Sequence, residues 1–253
     1  MDQATECTAT SAAPAQASPR VNDYDRFAEA YSAENERSLV NAYYARPGIL
    51  DLAGDVTGRR ILDAGCGSGP LSAALRERGA VVSGVDLSAG MLDLARQRLG
   101  PDADLHLADL DGQLPFPDGD FDDVVASLVL HYLEDWGPAL AELRRVLKPG
   151  GRLIASVDHP FVAYTIQEPR PDYFATTSYS FDWSFGGQTV PMRFWRKPLH
   201  AMTDAFAAAG FRLTALHEPR PDPAARELFP EGFHDLSTKP CFLFFVVQAP
   251  EPG

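Results

Sequence analysis

Ile61-Leu62-Asp63-Ala64-Gly65-Cys66-Gly67-Ser68-Gly69 is an apolar run that breaks into a glycine-rich turn and leads into a helix expected over Pro70–Arg78. Glycines let a backbone approach a ligand closely, and a helix start presents free N–H groups with a partial positive charge. A nucleotide-like ligand suits such a turn; a merely structural bend is the alternative for the turn taken alone. The dinucleotide fingerprint Gly-x-Gly-x-x-Gly fits poorly, because counted from Gly65 its third glycine position is Pro70, and Gly69 comes one residue early. Hydride-transfer chemistry is therefore disfavoured.

Working outward, the turn sits in a regular alternation. Strands are expected at Arg60–Ala64, Val81–Asp86, Asp104–Leu107, Phe121–Ser127 and Gly151–Val157, with helices at Pro70–Arg78, Ser88–Leu99 and Glu134–Leu147 between them. That order predicts an α/β fold, a mostly parallel sheet with helices on both faces. Upstream, Tyr24, Phe27 and Tyr31 recur at near-helical spacing and suggest an amphipathic helix within Asp23–Ala45, followed by a second at Pro47–Ala53. Residues 1–20 are Ala, Ser, Thr, Pro and Gln with little to bury and read as a disordered tail. Downstream, Asp158–Pro198 lacks strand-helix alternation and is rich in aromatic residues, which suggests a lid. Helix Leu199–Ala209, strand Phe211–His217, a loop over Glu218–Pro240 and strand Cys241–Gln248 complete the chain. With no helix in the last connection, the final strand is expected to run antiparallel. The outcome is one domain over 21–253, with lid segments 21–45, 158–198 and 218–240 meeting above one edge of the sheet.

Composition narrows the partners. The chain has 253 residues, a formal net charge of −13 and a pI near 4.8. Such a surface repels phosphate backbones, so small molecules are favoured over nucleic acid. The longest apolar run, Cys241–Val247, falls far short of the roughly 20 residues needed to cross a bilayer. No secretory signal is visible, and three cysteines suit a reducing compartment, so a cytoplasmic location is expected. No metal ligands are assigned, and no oligomeric state follows.

Asp86 ends the second strand about 20 positions beyond the glycines, where a ribose diol is held in nucleotide-binding sheets. Asp109, in Ala108-Asp109-Leu110 after the third strand, lies at the same carboxyl-terminal edge, placed to accept from an exocyclic amine. A helix cap and a solvated loop acid are the respective bland alternatives. Together with Gly84-Val85-Asp86-Leu87-Ser88, Met91-Leu92, Phe116-Pro117-Asp118-Gly119-Asp120-Phe121-Asp122 and Arg145-Val146-Leu147-Lys148-Pro149-Gly150-Gly151, these segments resemble the class I S-adenosylmethionine-dependent methyltransferases. The likeness is to the small-molecule group that includes the ubiquinone and menaquinone biosynthesis enzymes, and it runs from about Tyr24 to Val247.

The resemblance implies a Rossmann-like, seven-stranded sheet with an antiparallel last strand, and S-adenosylmethionine as cofactor. It further implies that Gly65 and Gly67 face the methionyl part, that Asp63 meets its ammonium, and that Asp86 holds both ribose hydroxyls. Leu87 and Met91 would flank the adenine, Asp109 with Leu110 would meet its amino group, and the backbone of Ser127 and Leu128 would meet the methionyl amine. Arg46 is the candidate cation for the cofactor carboxylate, and Tyr24 and Tyr31 could close over the sulfonium. Each of the last three has a bland alternative, surface charge for Arg46 and helix packing for the tyrosines.

Methyl transfer from a sulfonium is an in-line displacement, and a base is needed only if the nucleophile arrives protonated. His159, at the end of the fifth strand, is the first choice for base and His131 the second, a structural histidine being the alternative for both. The Trp183 and Trp195 region is expected to line a pocket for a hydrophobic or aromatic acceptor, or to pack on itself and hold a lid shut. Other classes stay open: a fold relative that binds the cofactor as a cyclase or interaction module, and a protein or RNA methyltransferase. Oxygen, nitrogen and carbon are all open as the methylated atom.

Overall fold

The computed structural model describes residues 22–185 and 188–251. The tail expected over 1–20 lies outside the described residues. The main sheet has seven strands: β1 Arg60–Ala64, β2 Val81–Asp86, β3 Asp104–Leu107, β4 Phe121–Ser127, β5 Leu147–Asp158, β8 Arg212–His217 and β9 Phe242–Gln248. Its order is β3-β2-β1-β4-β5-β9-β8. The pairs from β3 through β5 are parallel, whereas β9 runs antiparallel to both β5 and β8. The final strand is thus antiparallel, as expected, and β9 is inserted between β5 and β8, although the segment between β8 and β9 is not helix-free.

Alternation of side chains along each strand builds two cores. Leu62, Val124, Leu153 and Phe245 pack on one face with Leu140 and Leu143 of helix Gly137–Val146 and Phe206 of helix Leu199–Ala208. Ile61, Val125, Ile154 and Phe244 pack on the other with Ile49 of helix Arg46–Ala53 and Leu75 of helix Pro70–Glu77. Each such fully buried side chain contributes about 1.5–3 kcal/mol. At the amino-terminal edge of the sheet, the buried Asp123 carboxylate accepts from Arg59 at 2.6 and 3.0 Å and from Arg152 at 2.8 and 2.9 Å, which ties β1, β4 and β5 together.

Three expected segments differ. Asp158–Pro198 is not strandless: it holds helix Pro160–Thr165 and an antiparallel hairpin, β6 Thr177–Phe185 with β7 Gln188–Arg196. The loop over 218–240 contains helices Ala225–Leu228 and Pro230–Thr238. The first helix is broken into a short 3-10 turn at Tyr24–Arg26, a helix at Ala28–Asn35 and a wide turn at Asn41–Ala45, because Phe27 leaves helical geometry at φ −144°.

These segments meet over the carboxyl-terminal edge. Tyr31 lies parallel to Trp183 with ring centroids 6.4 Å apart, and Phe27, Tyr179, Met192 and Phe194 form a separate aromatic core between helix Ala28–Asn35 and the hairpin. The Asn22 side chain pairs with the backbone of Arg193 in both directions, at 2.7 and 2.8 Å, like an added strand residue. Glu218 contacts His159, and the N–H of Asp222 donates to the carbonyl of Tyr43 at 2.6 Å. No helix among the described residues is long and apolar enough to cross a membrane.

Candidate functional site

Between the sheet edge and the amino-terminal segment lies a cavity of about 350 Å³. Tyr24, Tyr31, Arg46, Asp63, Gly65, Gly67, Asp86, Leu87, Met91, Asp109, Leu110, Ser127 and Leu128, all singled out in the sequence, line this one cavity.

The glycine turn owes its shape to two positions. Gly65 has φ +76°, and a Cβ there would sit 2.6 Å from Cγ2 of Val129. Gly67 has φ +54° and opens onto free space, and its N–H donates to Oδ2 of Asp86 at 2.8 Å. The other Asp86 oxygen accepts from the N–H of Ser88 at 2.9 Å, so the carboxylate is fixed between the two loops. Burial and the nearby Asp25 charge raise its pKa. Ser88 caps helix Ala89–Leu99 through the N–H of Met91, which leaves Asp86 free of the capping role.

Asp63 is almost wholly buried and accepts a hydrogen bond from the Ser72 hydroxyl at 2.6 Å. Burial pushes its pKa up to about 7, with the Asp86 charge adding to the rise. Two carboxylates on one cavity, Asp63 buried and Asp86 half-buried, call for a ligand with a cation and hydrogen-bond donors. Arg46 supplies positive charge on the same cavity, held by the Asn35 side chain at 3.0 Å and 3.8 Å from Glu36. Leu128 takes φ +53°, unusual for a residue with a Cβ, and its N–H donates to the Ser156 carbonyl at 3.0 Å. Such strain costs roughly 1–3 kcal/mol and clusters at ligand sites. Asp109 accepts from the N–H of Asp111 at 3.1 Å, Leu87 is half exposed and Met91 buried.

Both histidines sit at the carboxyl-terminal edge, yet neither is among the residues lining the cavity. His159 caps helix Pro160–Thr165 by accepting the N–H of Phe161 at Nδ1, and its Nε2 lies 2.9 Å from Oε1 of Glu218. With both nitrogens committed, a proton-accepting role requires the ring to leave the cap. His131 is buried, which lowers its pKa, and its Nδ1 accepts the N–H of Asp158 at 3.2 Å. Neither Trp183 nor Trp195, expected to line an acceptor pocket or to pack within the lid, lines this cavity; Trp183 packs on Tyr31 and Phe194.

The structure adds residues that the sequence left unmarked. Tyr132 joins the wall, its hydroxyl 2.5 Å from that of Tyr24; its signal was position, five residues past the end of β4. Asp25 accepts from the Ser88 hydroxyl at 2.6 Å and the Gly90 N–H at 2.8 Å, latching the amino-terminal segment onto the helix that follows Asp86. Ser32 and Ser68 close the far side through their hydroxyls at 2.8 Å.

Residues 62–155 match the family described as "Methyltransferase domain". A malonyl-[acyl-carrier protein] O-methyltransferase of Serratia marcescens is 44% identical over 108 residues, 43% of this chain and 42% of that protein. A demethylmenaquinone methyltransferase of Tropheryma whipplei is 34% identical over 144 residues, 55% of this chain and 60% of that protein. The match therefore spans about half the length of these curated relatives. Among solved structures, an S-adenosylmethionine dependent methyltransferase from Mesorhizobium loti aligns with a TM-score of 0.67 and 29% identity, over 85% of this chain and 99% of that one. Residues 62–155 belong to the methyltransferase domain family, on a chain whose fold is that of the class I S-adenosylmethionine-dependent methyltransferases.

Proposed function

We propose that the protein transfers the methyl group of S-adenosylmethionine to a small acceptor, with the cofactor held in the cavity above. The observation that carries this reading is the cavity's charge arrangement: buried Asp63, half-buried Asp86 and the guanidinium of Arg46 line the same space. An amino acid joined to a nucleoside answers each of them, with an ammonium for Asp63, a ribose diol for Asp86 and a carboxylate for Arg46. An ammonium would also relieve the penalty that holds the Asp63 proton up to about 7. Gly65, Gly67, Ser127 and Leu128 would offer backbone to the methionyl part, Leu87 and Met91 apolar surface to the adenine, and Asp109 with Leu110 a partner for its amine.

When bound, the cofactor supplies an electrophilic methyl group on a sulfonium. The chain's contribution is positioning and exclusion of water, through the Asp25 latch and the aromatic contact between Tyr31 and Trp183. Where the acceptor arrives protonated, His159 is the first residue for proton acceptance, since rotation off its cap frees Nδ1; His131, closed in by burial, is second. The acceptor in this reading is a small, hydrophobic or aromatic molecule, and the net charge of −13 disfavours nucleic acid. Relatives named for demethylmenaquinone and for malonyl-[acyl-carrier protein] agree with methylation of a small group, free or carried. Incubation with methyl-labelled cofactor and a panel of small molecules, peptides and tRNA tests it. Label in a small molecule supports the reading; label confined to peptide or tRNA, or no transfer, overturns it.

A further inference from the structure

Ser72 stands where the glycine turn has become helix. It is the third residue of helix Pro70–Glu77, it is 1% exposed, and its hydroxyl donates to Oδ2 of Asp63 at 2.6 Å. A serine has one O–H to give, and this one is spent across the gap from helix to β1, on a carboxylate that is itself 1% exposed. The distance lies in the range of a charge-assisted O–H···O⁻ bond, the kind that favours the ionised partner. Asp63 lines the cavity and Ser72 does not, so the serine sits behind the carboxylate and reaches a ligand only through it.

The surroundings oppose a charge on Asp63. Its register partners in the sheet, Gly84 of β2 and Val125 of β4, bring no polar side chain. Burial pushes its pKa up, and Asp86 at the end of β2 adds a like charge. The Cys66 thiol in the glycine turn is pushed up by burial and by Asp63 itself and stays neutral. From the amino-terminal segment come Asp25 and the phenols of Tyr24 and Tyr31, both held neutral by burial. Arg46, from helix Arg46–Ala53, brings a cation to the same cavity, with Glu36 3.8 Å from it. Against burial and Asp86, the Ser72 hydroxyl pulls the other way and leaves Asp63 at about 7.

We propose that Ser72 is a positioning residue for the cofactor's ammonium: through its hydroxyl it holds the Asp63 carboxylate in place and ready to form the ion pair; the inference rests on the methyl-transfer reading above. With Oδ2 held, the carboxylate keeps one orientation on the cavity wall. A nucleoside that lacks the amino acid gains nothing from this arrangement, so Ser72 acts on one end of the ligand alone.

The test measures S-adenosylhomocysteine binding to the full chain by titration calorimetry across neutral pH, beside 5′-methylthioadenosine, which keeps the adenosine and lacks the amino acid. In Ser72→Ala the midpoint of the S-adenosylhomocysteine pH profile should rise by about 1–2 units, the worth of one charge-assisted hydrogen bond. Against the wild type at the same pH, binding should be about 5- to 50-fold weaker near pH 7, with the gap closing to about 4-fold or less near pH 8.5. Affinity for 5′-methylthioadenosine should stay within about 2-fold, which damage to the fold would not spare. Ser72→Cys keeps the side chain's bulk with a weak donor and should move the midpoint the same way, so it carries the test where the alanine variant does not fold. A flat wild-type profile, an unmoved midpoint in a folded variant, or an equal loss for both ligands overturns the role of Ser72. Failure of the methyl-transfer reading looks different: the wild type then binds neither ligand.

Discussion

Replacing Asp86 by Asn keeps the side chain's size and removes its charge, and the consequences can be worked from its contacts. One carboxylate oxygen accepts the Gly67 N–H at 2.8 Å and the other the Ser88 N–H at 2.9 Å, so each retains a lone pair for a ligand hydroxyl. In Asn one oxygen becomes NH₂, which must face an N–H donor and can no longer accept from a diol. Two charge-assisted bonds at about 1.5–3 kcal/mol each set the loss at roughly 3–6 kcal/mol. Asn also relieves repulsion from Asp25 and Asp63, which moves the expectation toward the lower end. S-adenosylhomocysteine should therefore bind about 10²- to 10⁴-fold more weakly by titration calorimetry. A 2′,3′-dideoxy analogue should lose a comparable amount on the wild type and little more on the variant. A folded Asp86→Asn protein with wild-type affinity would refute the assignment of this carboxylate to the ribose.

Other expectations follow from the same contacts. Asp123→Ala leaves the Arg59 and Arg152 guanidinium groups without their shared, buried partner and should cost about 3–5 kcal/mol, a fall in Tm of roughly 6–20 °C; an unchanged Tm would contradict it. Asp63, raised to about 7, must be ionised to pair with an ammonium, so S-adenosylhomocysteine affinity should fall up to tenfold per pH unit below about 7 and level off above it. Asp63→Asn should flatten that profile, and a flat wild-type profile would remove Asp63 from the site. For the fold the sign reverses: the Asp63 contribution is fully present below the ordinary value of 3.8 and is lost as pH climbs through about 7. His159→Ala should lower turnover on a protonated acceptor by roughly 100- to 10,000-fold with cofactor affinity kept, beside a stability loss of about 1 kcal/mol from the missing cap. Turnover at the wild-type level would leave His159 as a cap only.

The strands around the glycine turn were legible because each is a short apolar run bounded by Gly, Pro or Asp, and the carboxylates Asp63, Asp86 and Asp109 stand at or just after strand ends, so topology alone gathers them at one edge. The hairpin carried its own signal: Tyr179, Phe181, Trp183 and Phe185 alternate with Ser180, Asp182 and Ser184 ahead of Gly186-Gly187, a period of two that the aromatic richness of the stretch obscured. The helices inside 218–240 are short, and the segment around them is broken by Pro219, Pro221, Pro223, Pro230 and Pro240, so no periodicity develops. The commitment of His159 to Phe161 and Glu218 was hidden for another reason, since Glu218 lies 59 residues away and meets it only through the fold. The Tyr24–Tyr132 contact, across 108 residues, belongs to the same class.

The most direct measurement is a crystal structure of the protein grown with S-adenosylhomocysteine. The account predicts the ligand in the cavity, its ammonium beside Asp63, its diol on Asp86, its adenine between Leu87 and Met91 and its carboxylate toward Arg46. A ligand bound elsewhere on the chain, or a cavity that stays empty at saturating concentration, would contradict it.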